Sequence, residues 1–271
     1  MRWLTVRVTA SRARDEMVAL LISEGAAGVQ EEGESLVTSF PEHEMPSDLE
    51  RRLLAIDAGA TVVIAPMHEV SYDLHGTVTA RQVGELFVVP PWETAGYPSD
   101  KTIVIEPGGA FGTGDHATTR GVLHLLQTVI AEGDVVADLG AGSAVLAIAA
   151  AKLGASTVAA VELDHDAILN AEENVAANDA ADTVTIIEGD AATILSLLAP
   201  VDLVLANIVS GVLLGMLNTI RDSLSPGGHA ILSGILVAER SEMLAAFDAG
   251  DWIVTGEHAE EEWWTVLLRA Q

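Results

Sequence analysis

The sequence predicts an α/β fold: a parallel sheet flanked by helices, with a small α+β unit in front of it. Three observations predict it. The stretch Val135 to Glu162, VVADLGAGSAVLAIAAAKLGASTVAAVE, alternates an apolar run, a glycine loop, an Ala-rich segment and a second apolar run. Two later apolar runs, Val184 to Ile187 and Leu203 to Ala206, lead into Asp190 and Asn207. Such runs, separated by helical segments, are the pattern of parallel strands buried on both faces. The first 66 residues instead follow a βαββαβ order.

The central stretch reads as strand, turn, helix, strand. Val135 to Ala137 enters Asp138, Gly140 and Gly142 open the loop, and a segment of strong helix propensity starts near Ala144. The glycines permit positive φ and close approach of a ligand to the main chain. The helix start presents free N–H groups to an anion. Thr157 to Val161 ends in Glu162, a carboxylate at the carboxyl end of the next strand, where ligands of such sheets bind and where it could accept both ribose hydroxyls. A dinucleotide site would place a third glycine at position 145, which is Val145. That departure favours S-adenosylmethionine over a nicotinamide dinucleotide; the plainer alternative is a glycine loop that only turns the chain.

In the leading unit, assigned to residues 1–66, Trp3 to Val8 alternates as a strand. Ser11 to Glu24 follows as a helix with a Ser cap and Met17, Leu20 and Leu21 inward. Strands are expected at Gly28 to Glu31, Leu36 to Phe40 and Thr61 to Ala65, and a second helix at Pro46 to Ala58 with Ser47 as cap. The order is ferredoxin-like, without a catalytic constellation, and suits a unit that holds a partner. Residues 67–83 read as a linker. Short strands are expected at Glu85 to Pro91 and Thr102 to Ile105.

The segment Glu106 to Arg120, EPGGAFGTGDHATTR, carries four glycines, Phe111, His116 and the pair Thr118 and Thr119, and runs directly into a helix with Leu123, Leu125 and Leu126. A glycine-rich loop feeding a helix can lie over a ligand and cap it with hydroxyl and N–H groups. Alternatively a threonine only caps the helix, and His116 only bonds within the loop. After Asn207 the pattern predicts a helix over Gly211 to Leu224, a turn at Pro226, Gly227 and Gly228, and a strand over His229 to Ser233. A helix over Glu239 to Asp248 and strands at Trp252 to Thr255 and Trp263 to Leu268 complete the sheet. Trp263 and Trp264 point to opposite faces of a strand, so one belongs to the core.

EPGGAFGTGDHATTR and DLGAGSAVLAIAAAKLGA, together with GELFVVPPW, LANI, SPGGHAILSGIL and EEWW, resemble the motifs of the PrmA family of ribosomal-protein methyltransferases. The resemblance extends over nearly all of the chain from about Val83. It implies a seven-stranded, Rossmann-like, S-adenosylmethionine-dependent methyltransferase domain over residues 84–271. It also implies methylation of lysine side-chain and N-terminal α-amines of large-subunit ribosomal protein eleven. By position it implies that Thr119, Gly140, Glu162 and Asn207 contact S-adenosylmethionine, with Phe111, His116, Thr118, Gly142 and Asp190 nearby. Asn207 could also accept a hydrogen bond from the incoming amine, and Asp190 could reach the adenine amino group; either could instead form a turn. The family usually has Gly where this chain has Ala144, a small change if φ there is negative. It usually has paired Trp in the linker, where this chain has Tyr72.

Asn207 and His116 are thus the candidate catalytic residues, although no residue type and spacing singles out a general base. The expectation is that Asn207 and the 106–119 loop position the amine, with its proton going to water. The alternatives are a methyltransferase for another protein or a small amine, and a non-catalytic binding protein of the same fold. With 40 acids against 13 bases, a net charge of −27, the surface repels nucleic acid. It suits a cationic partner such as a basic protein tail, or reflects salt adaptation or genomic bias. Cysteine is absent, no run of 18 apolar residues occurs, and the first residues do not read as a signal peptide, so a soluble cytoplasmic protein without metal or membrane is expected.

Overall fold

The structure, a computed structural model, describes residues 3–9, 12–26, 29–32, 35–41, 43, 45–66, 78–107 and 112–270. The chain divides into two compact units, Met1–Leu74 and His75–Gln271.

In the first unit, β1 (Trp3–Thr9), α1 (Arg14–Ser23), β2 (Val29–Glu32), β3 (Ser35–Pro41), α2 (Leu49–Ile56) and β4 (Thr61–Pro66) follow one another. The strands form an antiparallel sheet of order β2-β3-β1-β4. Val6 and Val8 of β1, Leu36 and Phe40 of β3, Met17 and Leu21 of α1, and Leu49 and Leu53 of α2 make one core. α1 follows Ala13, at φ 55°, and the expected cap Ser11 lies outside the described residues; α2 follows Asp48 rather than Ser47, and the Asp48 carboxylate accepts from the Arg51 side chain at 2.6 Å without capping a helix N–H.

The second unit opens with a small sheet of β5 (Arg81–Val83), β6 (Leu86–Val89) and β7 (Thr102–Val104). β5 occupies the last residues expected to be linker, because its pairing with β6 outweighs the weak local pattern. Of that linker, residues 67–77 with Tyr72 lie outside the described residues. After α3 (Ala117–Val129) comes the alternating series β8 (Val135–Leu139), α4 (Val145–Lys152), β9 (Thr157–Glu162), α5 (His165–Ala177) and β10 (Val184–Glu188). The chain continues through α6 (Ala191–Leu198), β11 (Val201–Asn207), α7 (Ser210–Ser223), β12 (Leu224–Leu236), α8 (Arg240–Ala249), β13 (Trp252–Glu260) and β14 (Trp263–Ala270). The turn expected at Pro226 to Gly228 does not delimit β12; it lies inside it, with Gly227 at φ 85° and a register shift against β11.

These strands form a seven-stranded sheet, β10-β9-β8-β11-β12-β14-β13, parallel from β10 to β12 and antiparallel across β14 and β13. Successive residues of each strand feed opposite cores. Val136, Val158 and Leu205 join Val122, Ile148 and Val175 of α3, α4 and α5 on one face. Ala137, Val161 and Val204 join Leu195, Leu217 and Phe247 of α6, α7 and α8 on the other. α4 is rich in alanine because it is buried all round: Ala147, Ile148, Ala149 and Ala150 are inaccessible to solvent. Of the paired tryptophans, Trp264 is in the core and Trp263 is half-buried.

The chain proceeds outward from β8 through β9 to β10, then restarts at β11 on the other side of β8. The helices that follow β8 and β11 therefore leave on opposite faces, and their loops part to open a crevice at the carboxyl ends of these strands.

Candidate active site

The crevice is framed by the β8–α4 loop. Gly140 and Gly142 have φ of 72° and 52°, and the N–H groups of Gly140 and Ala141 both donate to the Val161 carbonyl, at 2.8 and 3.0 Å. A Cβ on Gly140 would lie 2.6 Å from Cγ2 of Ile208, the residue after Asn207. Hence the loop and the end of β11 approach too closely for any other residue. Ala144, which precedes α4, is at φ 64° and fully buried. Its methyl is therefore not the small change that a negative φ would make it: an L-residue in this region costs about 1–2 kcal/mol.

Glu162 closes the opposite wall. Its Oε2 accepts from the Gly142 N–H at 2.7 Å, and its Oε1 from the N–H groups of Leu163 and Asp164 at 2.8 and 2.9 Å. A carboxylate has about four lone-pair positions. Three are taken, so Glu162 keeps one direct acceptor site, on Oε2, where both ribose hydroxyls were expected to bind. Glu188 at the end of β10 is in register with Glu162, and the Gly189 N–H donates to the Glu162 carbonyl, which brings Asp190 to the same rim. Asp190 caps α6: its Oδ1 accepts from the Thr193 hydroxyl and N–H, at 2.7 and 2.8 Å, and these bonds hold its carboxyl below the usual range.

Beneath the loop lies Asp138. Its Oδ2 accepts from the Ala147 N–H at 3.0 Å, while Oδ1 is buried without a partner. Complete burial pushes its pKa up to about 7, against the lowering effect of the Ala147 bond and with the charge of Glu162 adding to the rise.

The glycine-rich segment supplies a further wall. Phe111, with residues 108–110, lies outside the described residues. Gly112 is at φ 107°, and its carbonyl accepts from the Ser143 hydroxyl at 2.7 Å. His116 caps α3: its Nδ1 accepts from the Thr118 N–H at 3.3 Å and shares a hydrogen bond with the Thr118 hydroxyl at 2.8 Å. Its ring meets Trp263 edge-on at 5.1 Å. Thr118 thus spends its hydroxyl within the cap, whereas Thr119 is fully buried with Oγ1 unpartnered. Arg120 ties this end of α3 to the terminal hairpin through Glu260, at 2.8 Å. A cavity of about 500 Å³ lies between Arg81, His116, Arg120 and Glu261, beside the helix start rather than at Gly140.

Asn207 ends β11 beside Ser233 of β12, whose hydroxyl donates to the Thr118 carbonyl at 3.2 Å. Its own side chain is half-buried and makes no hydrogen bond to the described residues. The structure therefore joins Thr118, Asn207, Gly140, Gly142 and Glu162 around one crevice, with Asp190 on its rim. Sequence reasoning missed Asn174 on α5 and Asn178, the residue that follows its last turn. Asn174 accepts from the Glu106 N–H at 2.9 Å and donates to the Ser143 carbonyl at 3.0 Å. Asn178 accepts from the Val104 N–H and donates to the Val104 carbonyl, at 2.8 and 2.6 Å. The available signal was the spacing of four residues on one helix face.

Positive-φ glycines too crowded to bear a Cβ, an acceptor at the end of the neighbouring strand and an unpartnered buried hydroxyl fit a nucleoside ligand with a polar tail. Among the described residues no group of three or more His, Asp or Glu side chains is placed to hold a metal ion. No described helix is long and apolar enough to cross a membrane. Strand order and site together define a protein of the Rossmann-like methyltransferase class. The profile of the ribosomal protein L11 methyltransferase (PrmA) family matches residues 77–271, and the chain belongs to that family.

Two ribosomal protein L11 methyltransferases are each 38% identical to it, from Exiguobacterium sibiricum over 174 residues and from Chloroflexus aurantiacus over 194. Each match covers 64% of this chain, but only 55% and 59% of those relatives' lengths. The crystal structure of a ribosomal protein L11 methylase from Lactobacillus delbrueckii subsp. bulgaricus superposes with a TM-score of 0.64 at 28% identity, over 72% of this chain and all of that one.

Proposed function

We propose that the chain is an S-adenosylmethionine-dependent methyltransferase acting on lysine and N-terminal α-amines of ribosomal protein L11. Family membership over residues 77–271 carries the reading, and the crevice between the glycine loop and Asn207 supports it. Glu162 and Gly140 hold the nucleoside, Thr119 offers its unpartnered hydroxyl, and Gly142, Thr118 and Asp190 shape the surround. Bound there, S-adenosylmethionine supplies an electrophilic methyl group on a sulfonium.

The protein's own task is to align the nucleophile and exclude water. Asn207 is suited to it: its amide oxygen is uncommitted and can accept a hydrogen bond from the amine, orienting the nitrogen lone pair. A lysine of pKa about 10.4 must lose a proton at a cost of about 4.6 kcal/mol at pH 7, an α-amine near 7.8 only about 1. His116 caps α3 and positions Thr118, so the amine's proton passes to water and not to that ring.

The first unit, with order β2-β3-β1-β4 under two helices, is ferredoxin-like in arrangement and holds the substrate. A net charge of −27 favours a basic protein over a nucleic acid as partner, and a cytoplasmic location follows from a ribosomal substrate. The test is mass spectrometry of purified ribosomal protein L11 incubated with S-adenosylmethionine, with and without the protein. Gain of methyl groups on amines is expected only with it; an unchanged mass, with binding of the cofactor intact, overturns the choice of substrate.

A further inference from the structure

Two walls of the crevice, the β8–α4 loop and the glycine-rich segment that starts at Glu106, are distant in sequence, and one side chain bonds to both. Asn174 is 1% exposed and projects from α5. Its Oδ1 accepts from the Glu106 N–H, 68 positions away, at 2.9 Å, and its Nδ2 donates to the Ser143 carbonyl, 31 positions away, at 3.0 Å. The two partners demand opposite polarity, so the orientation of the amide is set by them. Ser143, itself 1% exposed, then donates its hydroxyl to the Gly112 carbonyl at 2.7 Å, which ties the glycine-rich segment a second time to the same loop.

We propose that Asn174 is a positioning residue for methyl transfer, holding the cofactor loop at Ser143 and the base of the glycine-rich segment at Glu106 in fixed relation. This rests on the reading of the crevice as the S-adenosylmethionine site. An acceptor and a donor on one planar group are required at this depth, and Asn provides both. Asp lacks the donor and buries a charge. An aliphatic residue leaves two backbone groups unpaired. One turn further, Asn178 does for the free edge of β7 what a neighbouring strand would, bonding both the N–H and the C=O of Val104. It also donates to the Asn174 carbonyl at 2.8 Å. The helix thereby anchors the small sheet from which the segment departs, and Asn174 passes that anchorage to the cofactor loop.

Titration calorimetry with S-adenosylhomocysteine tests this on the full chain, well below the unfolding temperature. Asn174→Ala is expected to weaken binding at least tenfold, and Ser143→Ala, which removes only the tie to Gly112, at least threefold. Because both act through Ser143, the double variant should bind within twofold of Asn174→Ala. A folded Asn174→Ala or Ser143→Ala protein that binds within twofold of wild type overturns the proposal, as does a double variant whose loss is the product of the single losses. A merely structural role would lower the unfolding temperature and leave these affinities unmoved. If Asn174→Ala does not fold, Ser143→Ala alone decides by the same threshold. Wild-type protein that gives no binding heat refutes the cofactor site itself, and is thereby distinguished from failure of the positioning role.

Discussion

Replacing Asp138 by Asn should stabilise the protein at pH 8 and leave it nearly unchanged in acid. Asp138 is inaccessible to solvent, one of its oxygens has no partner, and burial pushes its pKa from 3.8 to about 7. Below the unfolded value both states hold the proton, and the site carries no penalty. Between the two values the unfolded chain releases the proton while the native one retains it, so stability falls by about 1.4 kcal/mol per pH unit. Above pH 7 both are ionised and the penalty is complete, about 4 kcal/mol. Asn keeps the acceptor for the Ala147 N–H and cannot ionise. Urea unfolding of wild type and Asp138→Asn at pH 5, 6, 7 and 8, followed by tryptophan fluorescence, gives the difference directly. Taking the difference cancels the titration of the other carboxylates. The gap should widen by about 2 kcal/mol between pH 5 and 7 and flatten above. A gap independent of pH, or one that closes as pH rises, would refute the assignment of a buried, unpaired carboxylate.

Three further outcomes follow from the same geometry. Thr119→Val removes a buried hydroxyl that has no partner and should stabilise the free protein by about 1 kcal/mol in thermal unfolding. It should also weaken S-adenosylhomocysteine binding; unchanged affinity would exclude Thr119 from the site. His116→Ala deletes the cap of α3 and should cost about 1 kcal/mol of stability. The shape of the pH-rate profile should not change, and loss of one limb of that profile would make His116 the base. Ala144→Gly relieves about 1–2 kcal/mol of left-handed strain but loses a buried methyl worth about 0.8 and adds about 0.5–1 of backbone entropy. Its unfolding temperature should therefore lie within about 2 °C of wild type, whereas a rise beyond about 5 °C would show that the strain dominates.

The elements of the sheet were legible because buried parallel strands are short apolar runs, and Val135 to Ala137, Thr157 to Val161 and Leu203 to Ala206 are each that. Boundaries were less so where pairing overrides local chemistry. Pro226 to Gly228 reads as a turn, yet it interrupts β12 without ending it, because Leu224 pairs with Val201 before it and His229 resumes pairing with Leu203 and Arg269 after it. A serine cap was expected on α2 at Ser47, and Asp48 precedes that helix instead, without a capping bond. The glycines and Glu162 announce a ligand by residue type, but the number of amides that already occupy Glu162 depends on the turn after β9 and is invisible in the sequence. The sign of φ at Ala144 is hidden for the same reason. Asn174 and Asn178 escaped because an asparagine in a polar helix reads as a solvated residue. Their partners lie at β7, Glu106 and Ser143, and only the fold brings them within reach.

Binding of the cofactor at Glu162 is the claim on which the rest depends, and calorimetric titration of wild type and Glu162→Gln with S-adenosylhomocysteine tests it most directly. Glutamine places an NH₂ group where the carboxylate now receives the N–H groups of Gly142, Leu163 and Asp164, so it must leave at least one of them unpaired and disturb the loop. Wild type is expected to bind with a Kd on the order of micromolar, about −8 kcal/mol, and Glu162→Gln at least tenfold more weakly. Equal affinities for the two proteins, or no binding heat from wild type, would contradict the account.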